Sequence, residues 1–66
     1  MLLNGEKTDP QAFLGKNIDA MLTYLKLDKR HVAVEINAEI IPKAQYESFL
    51  LSEDDNVEII HFVGGG

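Results

Sequence analysis

The final ten residues, 57–66, constrain this chain more than any other stretch. Residues 57–63 (Val-Glu-Ile-Ile-His-Phe-Val) are mostly β-branched or apolar, and the turn-forming segment Glu-Asp-Asp-Asn precedes them at 53–56. A run of this length and composition predicts a strand that is buried on at least one face. Because the run is long and apolar, we predict that it is the central strand of a small sheet, with the rest of the chain paired around it.

Three glycines, Gly64, Gly65 and Gly66, follow this strand directly. Glycines have no side chains to pack and cost backbone entropy to order, so we predict a folded domain over 1–63 and a flexible tail over 64–66. Glycine-rich ends are also typical of frayed termini and expression tags, and composition alone leaves those interpretations open. No tag-like spacer separates the glycines from the strand, however, and a narrow peptide with a free α-carboxylate suits threading into a partner's active site.

The composition restricts the remaining possibilities. With 66 residues the chain is one domain, and 45% hydrophobic residues indicate a folded one. The sequence has no cysteine, which excludes a disulfide framework, a thiolate metal site and a thiol nucleophile, and fits a reducing compartment. No apolar run is long enough to cross a bilayer, and residues 1–4 are too short and uncharged for a signal peptide. We therefore expect a cytoplasmic protein without membrane partners.

The formal net charge is −5, from 11 acidic and 6 basic residues. An acidic chain without a basic stripe is poorly suited to phosphate backbones, so nucleic-acid binding is not expected. The same charge favours electrostatic steering toward a basic protein partner.

The first third of the chain predicts a hairpin followed by a connection. Residues 1–4 predict a first strand, Asn4-Gly5 is a strong two-residue hairpin signal, and residues 6–8 predict the returning strand. Pro10 cannot donate to a sheet ladder, so it ends this strand or places it at the edge of the sheet. Phe13 and Leu14 are expected to cover one side of the core.

A single amphipathic helix is predicted over 18–26. Apolar residues recur at i, i+3, i+4 and i+7, namely Ile18, Met21, Leu22 and Leu25. Asn17 is a good N-cap, and Asp19 and Lys26 match the helix dipole in the first and last turns. The apolar stripe is therefore predicted to lie on the sheet.

The second half alternates as strands around a tight turn. Residues 32–36 predict a half-buried strand with Val32, Val34 and Ile36 inside. Residues 37–38 form a turn into a strand over 39–41, and Pro42 then opens a short helical turn across 43–49. Three residues are expected to pack beneath it: Tyr46, Phe49 and Leu50. The order β-β-α-β-β-(short helix)-β predicts a two-layer α+β fold with four or five strands and one main helix.

Conventional catalytic constellations are missing from the sequence. His31 and His61 lie far apart along the chain with no cysteine or spaced carboxylates to complete a metal site, so no metal or bound cofactor is expected. His61 is interpreted as a strand residue with a structural partner. Ser48 and Ser52 have no nearby base. The terminal carboxylate remains, and ATP can convert a carboxylate into an acyl-adenylate with a good leaving group.

Three segments resemble one known family: residues 32–37 (Val-Ala-Val-Glu-Ile-Asn), 39–42 (Glu-Ile-Ile-Pro) and, most sharply, 57–66. Together they are similar to the ThiS family, the sulfur carriers of thiamine biosynthesis. The resemblance implies a ubiquitin-like β-grasp fold with Gly65-Gly66 as the working end. It also implies that a ubiquitin-activating-like adenylyltransferase uses ATP to adenylate Gly66. The adenylate is then converted to a thiocarboxylate, which requires a sulfur donor (a desulfurase or persulfide), and the sulfur goes to thiazole synthase. The segment 6–14 matches the family poorly.

A partner-binding surface is predicted from strand alternation. Val57 and Ile59 point toward the helix, which sends Glu58, Ile60 and Phe62 to the opposite face. If the strand pairs with 32–36, as in β-grasp proteins, Ala33 and Glu35 share that face. Val63, next to the glycines, is assigned to the same surface. An exposed Ile and Phe in so small an acidic domain favour docking over scattered surface hydrophobes.

Two rival functions stay open at this point. The first is the small subunit of molybdopterin synthase, a sulfur carrier of the same fold, whose family usually carries prolines before its Gly-Gly, where this chain has His61-Phe62-Val63. The second is a ubiquitin-like modifier or interaction module with no sulfur chemistry. In none of these is the chain itself an enzyme; it is a carrier or binding protein.

Overall fold

The computed structural model describes residues 1–62. The predictions that fall on Val63 and on Gly64–66, including the division of the chain at residue 63, lie outside the described residues. Within 1–62, five strands and one α-helix form two layers, which confirms the α+β, β-grasp prediction.

The strands form one mixed sheet in the order β2-β1-β5-β3-β4. Their bounds are β1 Leu2–Leu3, β2 Glu6–Lys7, β3 Val32–Ile36, β4 Glu39–Ile40 and β5 Asn56–His61. Strand β5 pairs parallel to β1 and antiparallel to β3, and the β1–β2 and β3–β4 pairs are antiparallel hairpins. The prediction that the last strand is central is therefore confirmed, as is the edge position of the strand before Pro10.

Two-residue turns close both hairpins. The turns Asn4-Gly5 and Asn37-Ala38 have positive φ at both positions, which is the type I′ geometry that matches the twist of paired strands. Because Leu3 pairs with Glu6 and Ile36 pairs with Glu39, each turn fixes the register of its hairpin. Gly5 adopts its φ of +83° freely, whereas Ala38 holds a φ of +70° with a Cβ.

The helix α1 spans Ile18–Tyr24 and lies on the inner face of the sheet. Asn17 caps it as predicted, because its Oδ1 accepts a 2.8 Å hydrogen bond from the Ala20 N–H. The predicted end at Lys26 is wrong. The Lys26 N–H donates to the Thr23 carbonyl and the Leu27 N–H to the Leu22 carbonyl, which is a Schellman motif that places Lys26 at a φ of +61°. Leu27 thereby turns back against the core.

Twelve buried apolar residues form the core between α1 and the sheet. They are Phe13, Ile18, Met21, Leu22, Val32, Val34, Ile36, Ile41, Tyr46, Leu51, Val57 and Ile59. Two predicted core residues are wrong, since Leu14 is 42% exposed and Leu50 is 63% exposed. The helical turn is also shorter than predicted, a single 3-10 turn over Lys43–Gln45.

Leu50 faces outward because the chain around it is extended rather than helical. The Leu51 N–H donates to the Lys16 carbonyl and the Gly15 N–H to the Leu51 carbonyl, at 2.9 and 3.0 Å. In an extended segment neighbouring side chains point to opposite sides. Leu51, which the sequence analysis did not select, is therefore buried in place of Leu50.

Candidate functional site

The side of the sheet away from α1 carries the predicted partner-binding residues. Strand β5 contributes Glu58 and Ile60 and leads directly into Phe62, while β3 contributes Ala33 and Glu35. Pairing of Ala33 with Ile60 and of Glu35 with Glu58 places these side chains on one surface, because directly paired residues share a face. The structure thus brings together every predicted member of this surface that lies within residues 1–62.

The sequence analysis missed one member, Ile40. Ile40 pairs with Glu35 and is 70% exposed, whereas its neighbour Ile41 is buried. The type I′ turn at Asn37-Ala38 fixes this register, so recognition of that turn type would have placed Ile40 outside. We call the set Ala33, Glu35, Ile40, Glu58, Ile60 and Phe62 the outer face.

Alternation along β5 places its buried and its exposed apolar side chains on opposite faces of the sheet. Val57 and Ile59 are buried under α1, while Ile60 is 41% exposed and Phe62 is 51% exposed. This confirms the predicted alternation. Within the part of the chain that the structure describes, no element covers Ile60 and Phe62, so the outer face presents apolar surface that is free to bind a partner.

Both asparagines of the hairpin turns anchor β5. The Ile59 N–H donates to Asn4 Oδ1 at 2.7 Å, and the Asn56 N–H donates to Asn37 Oδ1 at 2.9 Å. Asn37 Nδ2 also donates to Asp55 Oδ1, whose second carboxylate oxygen accepts from the Ser52 N–H. These bonds hold the central strand from both of its neighbouring hairpins.

Phe62 marks the end of the outer face nearest to residue 63. Its N–H donates to the His31 carbonyl at 2.9 Å, which continues the β3–β5 pairing past the last strand residue. Lys43 Nζ lies 5.5 Å from the centroid of the Phe62 ring, a cation–π distance. Phe62 is therefore fixed by a hydrogen bond of its backbone and contacted by a cation on one side of its ring.

The charges of the site are unevenly distributed. Lys43 is at the Phe62 end. Arg30 precedes His31 in the chain, and its guanidinium is hydrogen-bonded to Asp28 and holds the pKa of that carboxyl well below its usual range. Glu35 and Glu58 oppose each other farther along the strands. Neither of the ion pairs found within residues 1–62, Lys29–Asp19 and Arg30–Asp28, involves Glu35 or Glu58, so these two glutamates have no cationic partner in that part of the chain.

Strand pairing also brings His61 next to Val32, close to His31. Both histidines are exposed, and no hydrogen bond to another described residue is found for either ring, so the structural partner expected for His61 is not seen in residues 1–62. The described residues contain no group of three or more His, Cys, Asp or Glu that could hold a metal ion. No helix of the described chain is long and apolar enough to span a membrane.

Known proteins resemble this chain over nearly its whole length. The family model described as "ThiS family" matches residues 2–66. The chain belongs to the ThiS family. The sulfur carrier protein ThiS of Bacillus subtilis is 41% identical over 64 residues, covering 97% of this chain and 96% of that protein. The crystal structure of the thiamine biosynthesis protein ThiS from Geobacter metallireducens superposes with a TM-score of 0.78 at 30% identity, covering 98% of this chain and 96% of that one.

A second kind of relative is much longer than this chain. The thiazole synthase of Paramagnetospirillum magneticum is 39% identical over 66 residues, which is 100% of this chain but 20% of that protein. A thiazole synthase of Magnetococcus marinus matches in the same way over 19% of its length. The chain therefore spans about a fifth of these two proteins. The relative that the chain matches over nearly the full length of both is the one named a sulfur carrier protein.

Proposed function

We propose that the Gly66 carboxylate of this sulfur carrier is adenylated and converted to a thiocarboxylate that donates sulfur for synthesis of the thiamine thiazole. The family match carries this proposal, because it extends through the glycines to residue 66. The proposed reaction requires ATP, which a separate ubiquitin-activating-like adenylyltransferase binds, and a desulfurase or persulfide as sulfur donor. The carrier supplies no catalytic side chain and binds no cofactor, and we place it in the cytoplasm.

The proposed steps balance without any group from the carrier except its carboxylate. A Gly66 oxygen attacks the α-phosphorus of ATP, and pyrophosphate leaves. A persulfide sulfur then attacks the acyl carbon and expels AMP, and a partner thiol reduces the resulting S–S bond to release the thiocarboxylate. The absence of cysteine from this chain is consistent with the scheme, because no internal thiol can intercept the activated acyl group.

Glycine suits this position for steric reasons. Gly66 has no Cβ to crowd the acyl carbon, and Gly64 and Gly65 allow a chain without side chains to pass through a narrow channel. In this scheme the folded domain is a handle, and the glycines deliver the carboxylate to active sites that belong to other proteins.

We assign docking on the adenylyltransferase to the outer face, with Val63 as its continuation toward the glycines. Ile60 and Phe62 are the anchors, because large exposed apolar side chains at the centre of a patch supply most of the binding energy of an interface. Ala33 is small enough to leave the Ile60 side chain accessible beside it.

Thiazole synthase is proposed as the protein that receives the sulfur. The support is that two proteins named thiazole synthase contain a region similar to this whole chain. A carrier domain within the same polypeptide as its acceptor is held at high effective concentration, which is useful when the two must meet repeatedly. We expect the carrier domain described here to bind thiazole synthase in an analogous manner.

Intact mass spectrometry tests the proposal directly. The protein is co-expressed with the adenylyltransferase and the sulfur donor of its own organism, and its mass is compared with that of protein expressed alone. Exchange of one carboxylate oxygen for sulfur at Gly66 is expected, and fragmentation locates it. Conjugates to lysines of other proteins would instead identify a modifier, and sulfur transfer to a molybdopterin precursor rather than to thiazole synthase would identify the other carrier class.

A further inference from the structure

We propose that the outer face binds a cationic side chain of the adenylyltransferase, an arginine guanidinium, between the carboxylates of Glu35 and Glu58. This inference rests on the proposed function, because it specifies the chemistry of the partner that docks on the outer face. Strand alternation predicts both glutamates on this surface, and the strand register then places them directly opposite each other.

The pairing is unfavourable in the isolated protein. Glu35 lies directly opposite Glu58 on neighbouring antiparallel strands, and side chains in that position have Cβ atoms about 4.5–5.5 Å apart. Like charges directly opposite destabilise a sheet. No cation within residues 1–62 compensates them, since the ion pairs found there involve Asp19 and Asp28 instead.

Apolar groups flank the two carboxylates on two sides, while Asn37 and Asn56 lie on the side toward the start of β5. Ile40 pairs with Glu35 on its other side, and Ile60 and Ala33 form the next row of the sheet toward Phe62. A partner that covers Ile60 must also remove water from the glutamates, and two desolvated like charges are costly without a positive charge between them. The outer face should therefore bind a purely apolar partner surface weakly, and a partner surface that carries a cation more tightly.

Arginine fits this position better than other cations. Its planar guanidinium presents five N–H donors in a fixed fork that can serve two carboxylates at once, and it is more weakly hydrated than an ammonium group. A metal ion would need further ligands, and none of the described residues completes such a set. A second copy of this chain would bring another acidic outer face of a protein with net charge −5.

The remaining charge of the surface gives this contact a direction. Lys43 is over the Phe62 ring, and Phe62 is four residues along the chain from Glu58, about 13 Å in an extended strand. The outer face thus carries its two carboxylates on β3 and β5 and a basic side chain at the end nearest to residue 63, while Lys7, paired with Leu2, lies beyond Asn56 at the opposite edge. A partner with the complementary arrangement can dock in only one orientation along β5, which directs residue 66 toward its active site.

The test compares Glu35→Gln and Glu58→Gln with Glu47→Gln, a matched change at an exposed glutamate away from the sheet. Titration calorimetry measures the affinity of each full-length variant for the adenylyltransferase of the same organism across a range of NaCl concentrations. Each outer-face variant should bind about tenfold more weakly and with a shallower salt dependence, because a charge pair has been removed. Glu47→Gln should match the wild type. Thermal melts should show the opposite order, with the outer-face variants melting slightly higher because the repulsion is relieved.

Three outcomes would overturn the inference. The first is wild-type or tighter binding by Glu35→Gln and Glu58→Gln, and the second is equal weakening by Glu47→Gln. The third is a wild-type dimer in sedimentation that Ile60→Asp abolishes, which would assign the face to a second copy. Pyrophosphate exchange in the same samples distinguishes failure of the proposed function from failure of the arginine contact. If the wild type is not activated, the proposed function fails; if it is activated and only the binding results disagree, the arginine contact alone fails.

Discussion

The two faces of strand β5 carry similar apolar side chains, but one face is buried and the other is exposed to solvent. Val57 and Ile59 are buried beneath α1 in the core, while Ile60, one residue farther, is exposed on the outer face. Burial of the inner set stabilises the fold by roughly 1.5–3 kcal/mol per side chain. The outer set contributes much less of that free energy, since its apolar area remains in contact with solvent.

This difference is the reason for assigning a binding role to the apolar outer residues in the proposed function, since their burial contributes little to folding. The two faces belong to one strand and share its backbone hydrogen bonds, so the side chain of each residue can be tested with its neighbour as the control.

The largest effect is expected from addition of one Ala after Gly66. The addition puts a Cβ on the reacting residue and moves the carboxylate outward by about 3.5 Å, in chemistry that tolerates little misplacement. Pyrophosphate exchange with the adenylyltransferase should be abolished, although both faces of β5 are unchanged. Gly65→Val should also impair exchange, because a β-branched side chain crowds the channel and stiffens the backbone.

The melting temperature is the control for this prediction. Neither tail change should alter it by more than the error of the measurement. Exchange at the wild-type rate by the Ala-extended protein would mean that the Gly66 carboxylate is not the reactive group.

The next prediction compares Ile59→Ala with Ile60→Ala. Ile59 is 7% exposed and Ile60 is 41% exposed, so loss of the buried side chain should reduce the free energy of unfolding by about 2–4 kcal/mol, and loss of the outer one by less than about 1 kcal/mol. Urea denaturation followed by circular dichroism measures both. Equal losses would show that the two faces are not energetically distinct.

On the outer face itself, Ile60→Asp and Phe62→Asp should weaken binding of the adenylyltransferase by about 2 kcal/mol or more. Each change places a desolvated charge at the centre of the interface, while the stability of the free domain should change much less. Titration calorimetry alongside a thermal melt separates the two effects. Unchanged affinity would remove the outer face from the docking site.

The smallest predicted effect concerns a change that touches neither face. Ala38→Gly should raise the free energy of unfolding by about 0.5–1 kcal/mol, because Ala38 holds a left-handed φ of +70° that glycine adopts without strain. Gly5→Ala is its mirror image and should lower stability by a similar amount, although a Cβ at Gly5 would meet no atom within 4 Å. Partner affinity should stay unchanged in both, and a parallel change in affinity would mean that stability and docking are coupled.

The sequence alone determined the features that depend on local chemistry. The apolar alternation of residues 57–62 fixed which side chains of β5 are buried, Asn17 marked the start of the helix, and Asn4-Gly5 marked the first hairpin. Each of these is set by interactions within a few residues, so pattern and propensity were sufficient. The surface formed by Ala33, Glu35, Glu58, Ile60 and Phe62 followed from the same alternation once pairing of β3 with β5 was assumed.

The tertiary structure decided whatever depends on distant residues. The helix ends at Tyr24 because Leu27 turns back to pack on the core, which outweighs the helix-favouring sequence through Lys26. Leu51 is buried instead of Leu50 because that segment pairs with residues 15–17, far away in sequence. The contact of Glu58 with Glu35, and of Glu35 with Ile40, depends on strand register, and register is fixed only when the whole sheet closes its core against α1.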